Sequence, residues 1–236
     1  VIMHSLGKNI SYIDGDSVRF YTLPYTTRMV VIRLADGSLW LHSPIQFTSD
    51  LAKQIDALGE VRYLVAPNKL HHLFLKDWQQ HYPSALVFGT EQVCQKRPDI
   101  HFNGVLTADW VPPWRDDISQ LLFTGSKVMQ ECVFFHRSSR TLIVTDLIEN
   151  FPAHSFTPFK RLLAKIAGVL APNGKMPIDW RLTFKKPIAR QHLQQIIDWQ
   201  PEKIVMAHGE VIEEQAVTFL KSSFSWLNLS SSTKSS

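Results

Sequence analysis

Several apolar runs of strand length in this 236-residue chain end in side chains that can hold a metal ion or move a proton. His42 closes the Trp40-Leu41 run; His71 and His72 stand just after the run Val61 to Ala66; Asp146 follows Leu142-Ile143-Val144-Thr145; His208 follows Ile204-Val205-Met206-Ala207. Strand ends along one edge of a sheet converge on a shared crevice, which is where open α/β proteins bind ligands. Imidazole and carboxylate suit zinc, iron or manganese. Any one of these histidines alone is better explained as an ordinary hydrogen-bonded or exposed side chain; their joint placement is what points to a site.

Other common sites are missing. There is no G-x-S-x-G elbow and no G-x-G-x-x-G, and Gly168 to Met176 lacks both the glycine spacing and the final Ser or Thr of a phosphate-binding loop. With 44% hydrophobic and 19% charged residues, the composition excludes a disordered chain, a collagen-like repeat and a long charged coiled coil. The net charge of +4 comes from scattered basic residues, which argues against a nucleic-acid track. No run approaches the ~18 apolar residues of a membrane helix. Two cysteines, Cys94 and Cys132, form no framework or finger spacing, and the first ten residues have no apolar signal region, so a cytoplasmic location is expected.

The elements that must position these side chains begin with strands at Ile10 to Asp14, Val18 to Thr22, Met29 to Leu34 and Ser38 to His42, the last two joined by Asp36-Gly37 as a type I′ hairpin turn. Thr48 or Ser49 caps a helix with Leu51, Ile55 and Leu58 on one face and Gly59 at its end. The strand Val61 to Ala66 hands over to a helix from His71 to His81, stopped by Pro83. Strands at Gln120 to Phe123, Glu131 to Phe135 and Thr141 to Thr145 suggest a second hairpin region. Thr157-Pro158 opens a helix with Leu162, Leu163, Ile166 and Val169 as its stripe; Pro187 opens another to Trp199; Lys203 to Ala207 is a last strand before a helix bearing Ala216, Phe219 and Leu220. Ala108 to Trp114 reads as a lid or as a proline-pinned loop anchored by buried tryptophans.

This order of elements resembles the metallo-β-lactamase superfamily. More narrowly, Thr27-Arg28-Met29, Leu39-Trp40-Leu41-His42-Ser43-Pro44, Pro67 to Leu75, Val133-Phe134-Phe135-His136-Arg137 and Thr145-Asp146-Leu147 look like one branch of it, the DUF4336 family. The resemblance implies an α/β (α+β) fold, a four-layer αββα sandwich, with one domain over residues 1–229 and a disordered Ser-rich tail at 230–236.

It also implies a metal-dependent hydrolytic site, from which this chain departs. With His72 on the last histidine of the superfamily's H-x-H-x-D-H motif, Pro67 and Lys69 fall on the first two histidines and His71 on the aspartate; a shift by one puts Asn68 and Leu70 on the first two instead. Ser126 stands for the third-motif histidine and His42 for the first-motif aspartate, while Asp146 and His208 match the bridging aspartate and the last histidine. Two functions follow. In the first, a hydrolase keeps one zinc, iron or manganese ion on His72, Asp146 and His208, with His71 and Asp146 as catalytic groups. In the second, Lys69 pairs with Asp146 in place of metal, and a non-catalytic or regulatory protein uses His42, Asn68, Lys69 and Arg28 to hold a small anion. A small-molecule partner is expected in both, and no membrane. The arrangement around Asp146 separates them.

Overall fold

The computed structural model describes residues 1–20, 23–152, 162, 164–166 and 168–229. Its first sheet has seven strands in the order β1 (Met3–Gly7), β2 (Ile10–Phe20), β3 (Leu23–Arg33), β4 (Leu39–His42), β5 (Val61–Ala66), β6 (Leu86–Gly89) and β7 (Gly104–Val105). The first four are antiparallel neighbours, and β4 to β7 run parallel. The second sheet has the order β11 (Lys203–Val205), β10 (Thr141–Ile143), β9 (Glu131–His136), β8 (Ile118–Phe123), with β10 and β11 parallel.

Alternation along the strands builds the layers, because successive side chains point to opposite faces. In β9, Cys132 and Phe134 face the first sheet and meet Trp40, Tyr63, Val65 and Trp114, while Val133 faces a second core. That second core is closed by helices α5 (Lys186–Asp198) and α6 (Ala216–Ser223) through Ala189, Leu193, Ile196, Ala216 and Leu220. The outer face of the first sheet packs Leu39, Leu41 and Leu64 against α1 (Ser49–Asp56), α2 (Leu75–His81) and α3 (Glu91–Lys96). The fold is therefore the αββα sandwich.

Several local expectations change. Residues 10–20 form one strand, with an irregularity in pairing between Gly15 and Val18 in place of a break. The connection over residues 34–38 is not a type I′ turn: within it Gly37 alone has positive φ, and its N–H donates to Leu34 O at 2.9 Å. Thr48 caps α1 as expected, accepting from Leu51 N at 3.1 Å, but the helix stops at Asp56 and Leu58 is exposed. The helix expected from His71 starts only at Leu75, leaving residues 67–74 as loop. Trp114 is buried among Trp40, Tyr63, Phe88 and Trp110, so the 108–114 stretch is an anchored loop and not a lid. Residues 162 and 164–166 are helical, with Ala164 and Val169 buried and Leu162 and Ile166 exposed, so the expected apolar stripe is misplaced. Thr157-Pro158, Leu163, Thr22 and the tail at 230–236 lie outside the described residues. Among those described, no helix is long and apolar enough to cross a membrane; a short helix α4 (Ile178–Arg181) precedes α5.

The segment after β11 is held by close backbone approach. Asn150 N donates to His208 O at 3.1 Å, Glu210 N donates to Asn150 O at 2.9 Å, and Gly209, with φ +106°, lies against Asn150. A Cβ on Gly209 would sit 2.1 Å from Asn150 O. Gly209→Ala is therefore expected to lower unfolding free energy by about 2–4 kcal/mol, from forbidden φ and the clash together. Urea unfolding measures it, and an unchanged midpoint would refute the close approach.

Candidate functional site

Two parallel neighbours set the first half of the site. The register pairs Ile143 with Val205, so Asp146 and His208, each three residues further on, emerge side by side at the ends of β10 and β11. His208 Nε2 lies 3.1 Å from Asp146 Oδ1. The other half arrives across the sandwich: Cys132 N donates to Pro67 O at 2.9 Å, tying the loop after β5 to the start of β9.

That loop is shaped by Asn68, which is fully buried. Its Oδ1 accepts from Leu70 N at 2.8 Å and His71 N at 3.2 Å, a local side-chain turn that competes with helix. Its Nδ2 faces Asp146 Oδ2 at 2.7 Å, Thr145 Oγ1 at 2.8 Å and Glu131 Oε2 at 3.2 Å. Beneath it, Glu131 accepts three backbone N–H groups, from Thr145 at 2.7 Å, Asp146 at 2.8 Å and Leu147 at 3.0 Å.

His71 completes the cluster, with Nε2 at 3.2 Å from Asp146 Oδ2. Both histidines are tethered at the opposite ring nitrogen. His208 Nδ1 is 2.8 Å from Thr26 O, and since a carbonyl only accepts, that nitrogen carries the hydrogen. His71 Nδ1 is 2.7 Å from Ser43 Oγ. One ligand atom from each of His71, Asp146 and His208 lies within 4.8 Å of the others.

Burial opposes charge on Asp146, yet the facing His71 and the hydrogen bonds from His208 and His71 hold its carboxyl well below the usual carboxylate range. His71 is penalised by burial but raised overall by Asp146. Glu131 is pushed up by burial and by the Asp146 charge, against the pull of its backbone donors. Glu149, also buried, is raised strongly by burial and by Asp146, Asp179 and Glu131. The site is thus rich in buried carboxyls.

The sequence profile of the family described as "Domain of unknown function (DUF4336)" matches residues 17–159, more than half the chain. The protein belongs to the DUF4336 family. No curated protein matches its sequence. Its fold is that of metallo-β-lactamases: DIM-1 metallo-β-lactamase exposed to ceftazidime superposes with TM-score 0.68 at 11% identity, covering 96% of both chains. A metallo-β-lactamase from Pontibacter korlensis gives 0.65 at 12% identity, covering 97% of this chain and 99% of its own. FIM-1 from Pseudomonas aeruginosa, in its mono-zinc form, gives 0.65 at 6% identity, covering 96% and 94%.

In this DUF4336 chain the residue beside Asp146 and His208 is His71, which corrects the expected grouping of His72 with them. His72 turns to Arg97, whose Nη1 lies 3.1 Å from His72 Nδ1 and donates to His72 O at 2.9 Å. Burial, with the Lys96 and Arg97 charges, pushes the His72 imidazole down to about 4. With His71 on the last histidine of the motif, Ala66 and Asn68 fall on the first two and Leu70 on the aspartate. Among the described residues Lys69 makes no ion pair with Asp146; its carbonyl receives Lys96 Nζ at 3.0 Å. Arg28 is committed elsewhere: it is buried, pairs with Asp14 at 2.6 Å and donates to Met206 O and Gly209 O at 2.7 and 2.9 Å. It clamps the strand that delivers His208. Ser126 accepts from Val128 N and Met129 N in a local turn.

His42 is buried between Trp40 and Phe134, with ring centroids 5.5 Å from each, and its Nε2 has no hydrogen-bond partner. It stands outside the cluster. Glu131, Ser43 and the Thr26 carbonyl were not foreseen. One signal was present: a carboxylate opening the apolar strand Glu131-Cys132-Val133-Phe134-Phe135 has to be paired if it is buried.

Two outcomes follow. Glu131→Gln leaves a backbone N–H facing an amide NH2 in a buried turn and is expected to cost about 3–5 kcal/mol in urea unfolding; a loss below 1 kcal/mol, roughly one ordinary hydrogen bond, would contradict the network. Burial, reinforced by His71, pushes His42 down to about 3. The unfolded chain binds the extra proton below pH ~6.5, so this residue removes stability as pH falls from there towards 3, by up to about 1.4 kcal/mol per pH unit. His42→Phe should raise Tm more at pH 5 than at pH 7.5; an equal shift at both would refute the neutral buried imidazole.

Proposed function

We propose that this protein is a metal-dependent hydrolase with one divalent ion held by His71 Nε2, the Asp146 carboxylate and His208 Nε2. The observation that carries it is the convergence of one ligand atom from each of those three residues within 4.8 Å. Two imidazoles and a carboxylate form a donor set of the kind found in catalytic zinc sites and in non-haem iron sites, and both leave room for water or substrate. Zinc, iron and manganese all suit it. The surplus of buried carboxyls favours a cation, since Asp146, Glu131 and Glu149 otherwise oppose one another's charge. FIM-1, described in a mono-zinc form, is a precedent for a single ion on this fold.

Bound there, a divalent ion supplies Lewis acidity toward a carbonyl or phosphoryl oxygen and a more acidic water. The chain's own residues do the rest. Glu131 and Asn68 hold the Asp146 turn and its carboxylate in place. The tethers at His71 Nδ1 and His208 Nδ1 turn both Nε2 atoms inward. Asp146, beside both Nε2 atoms, is the group placed to move a proton. We assign Lys69, in the same loop and without an ion pair among the described residues, to an anionic group on a small-molecule substrate. Arg28 is excluded from that role by its clamp. The rival reading, an anion-binding protein without metal, rested on a Lys69–Asp146 pair, and the imidazoles around Asp146 support the hydrolase instead.

Residues 1–229 are read as one unit, supported by a core shared between the two sheets. A cytoplasmic location is supported by two unpaired cysteines.

Protein purified without chelator is expected to contain about one equivalent of zinc, iron or manganese by elemental analysis. His71→Ala, Asp146→Ala and His208→Ala should each weaken uptake by more than the roughly 10–100-fold that losing an outer partner costs, while His72→Ala retains it. Hydrolysis of a panel of lactams, thioesters, lactones and phosphodiesters should vanish with chelator and return with metal. Uptake of none of the three metals, or equal loss in His72→Ala, would overturn the proposal.

A further inference from the structure

Ser43 directly follows β4, and its N–H donates to Val65 O at 2.9 Å, so its place is fixed by the β5 ladder. Its φ is +53°, in the left-handed region that favours glycine, asparagine or aspartate. Serine held there by its surroundings is a strained choice, and such strain collects at functional positions. The side chain is buried and its Oγ is 2.7 Å from His71 Nδ1. The hydroxyl is therefore the one feature of residue 43 that glycine could not supply more cheaply.

We propose that Ser43 is a positioning residue that holds the His71 ring with Nε2 toward the ion-binding point beside Asp146. This rests on the metal reading above and adds the group that holds the ring of its His71 ligand. A ligating histidine needs its second ring nitrogen held, which fixes both ring orientation and the hydrogen's location. The Thr26 carbonyl does both for His208; the Ser43 hydroxyl, which can donate or accept, holds the orientation of the His71 ring. With both tethers in place the two rings stand 5.2 Å apart, each with Nε2 toward Asp146. His72 has Arg97 at its Nδ1 and no partner at Nε2, so nothing aims it at Asp146.

The connectivity Ser43–His71–Asp146 is also that of a serine nucleophile relay. The setting opposes that use. The Ser43 N–H is spent on Val65 O and cannot serve as an oxyanion donor.

The test compares wild type with Ser43→Gly and Ser43→Ala. Glycine accepts the left-handed backbone, so Ser43→Gly should keep or raise Tm, whereas Ser43→Ala keeps the strain. Both should weaken Co²⁺ binding by about 10–100-fold with stoichiometry unchanged, followed by the Co²⁺ absorption spectrum. In the metal-free proteins, crystal structures should show the His71 ring fixed beside Asp146 in wild type and rotated away in Ser43→Gly. Unchanged Co²⁺ affinity together with an unchanged His71 ring in Ser43→Gly overturns the proposal. So does covalent labelling of Ser43 by a fluorophosphonate. If wild type takes up no metal, the hydrolase reading falls, and the metal-free structural comparison alone decides whether Ser43 holds His71.

Discussion

Three consecutive backbone N–H groups, of Thr145, Asp146 and Leu147, converge on the carboxylate of Glu131. Chain leaving a sheet at its buried end has N–H donors with no strand to pair with, and leaving them unpaired would cost about 1–3 kcal/mol each. Glu131 removes that difficulty from the neighbouring strand. The turn can then stay inside the protein, and Asp146 can stand at its apex with its carboxylate buried. Asn68 extends the arrangement across the sandwich, because its amide touches Glu131, Thr145 and Asp146 while its carbonyl shapes the loop that carries His71. One carboxylate and one amide thus couple the two sheets at the end where every candidate ligand emerges.

Charge is the second consequence. Three carboxyls buried near one another, with imidazoles as their nearest basic partners in the cluster, leave Asp146 ionised and force Glu131 and Glu149 towards higher pKa. Burial disfavours each charged form alone, so the cluster is stable only while the acids, histidines and backbone donors compensate one another. Arg28, although buried, is turned to Asp14 and to the carbonyls of Met206 and Gly209. Among the described residues, cationic compensation is left to the imidazoles.

The layers and most strands were legible because period-2 apolar runs and turn residues are local signals: β4, β5, β9 and α5 lie close to where the pattern puts them. So were Asp146 and His208, since each closes a strand and the two strands are neighbours. His71 and His72 were separable only in three dimensions. Adjacent residues share the same spacing pattern, and the choice between them depends on the Asn68 side chain bonding the N–H of His71 and on Arg97 holding His72. The same Asn68 turn moved the helix start from His71 to Leu75. Glu131 was hidden for a different reason: its partners are backbone groups of residues 145–147, which carry no side-chain signature.

Around this centre the chain tolerates several local conflicts that a purely stable fold would avoid. Ser43 has positive φ, Gly209 lies against the Asn150 backbone where no Cβ fits, and His42 buries a ring nitrogen without a partner. They fall at the strand ends that carry the site: after β4, after β11 and at the last residue of β4. Conflicts of the same kinds occur away from this edge, with positive φ at Arg140 and Gln215 and a backbone approach at Gly59 that leaves no room for a Cβ, so strain alone does not mark the site. What separates Ser43 from them is its contact: its hydroxyl lies 2.7 Å from His71 Nδ1, and glycine, which would relieve the φ, would not supply it.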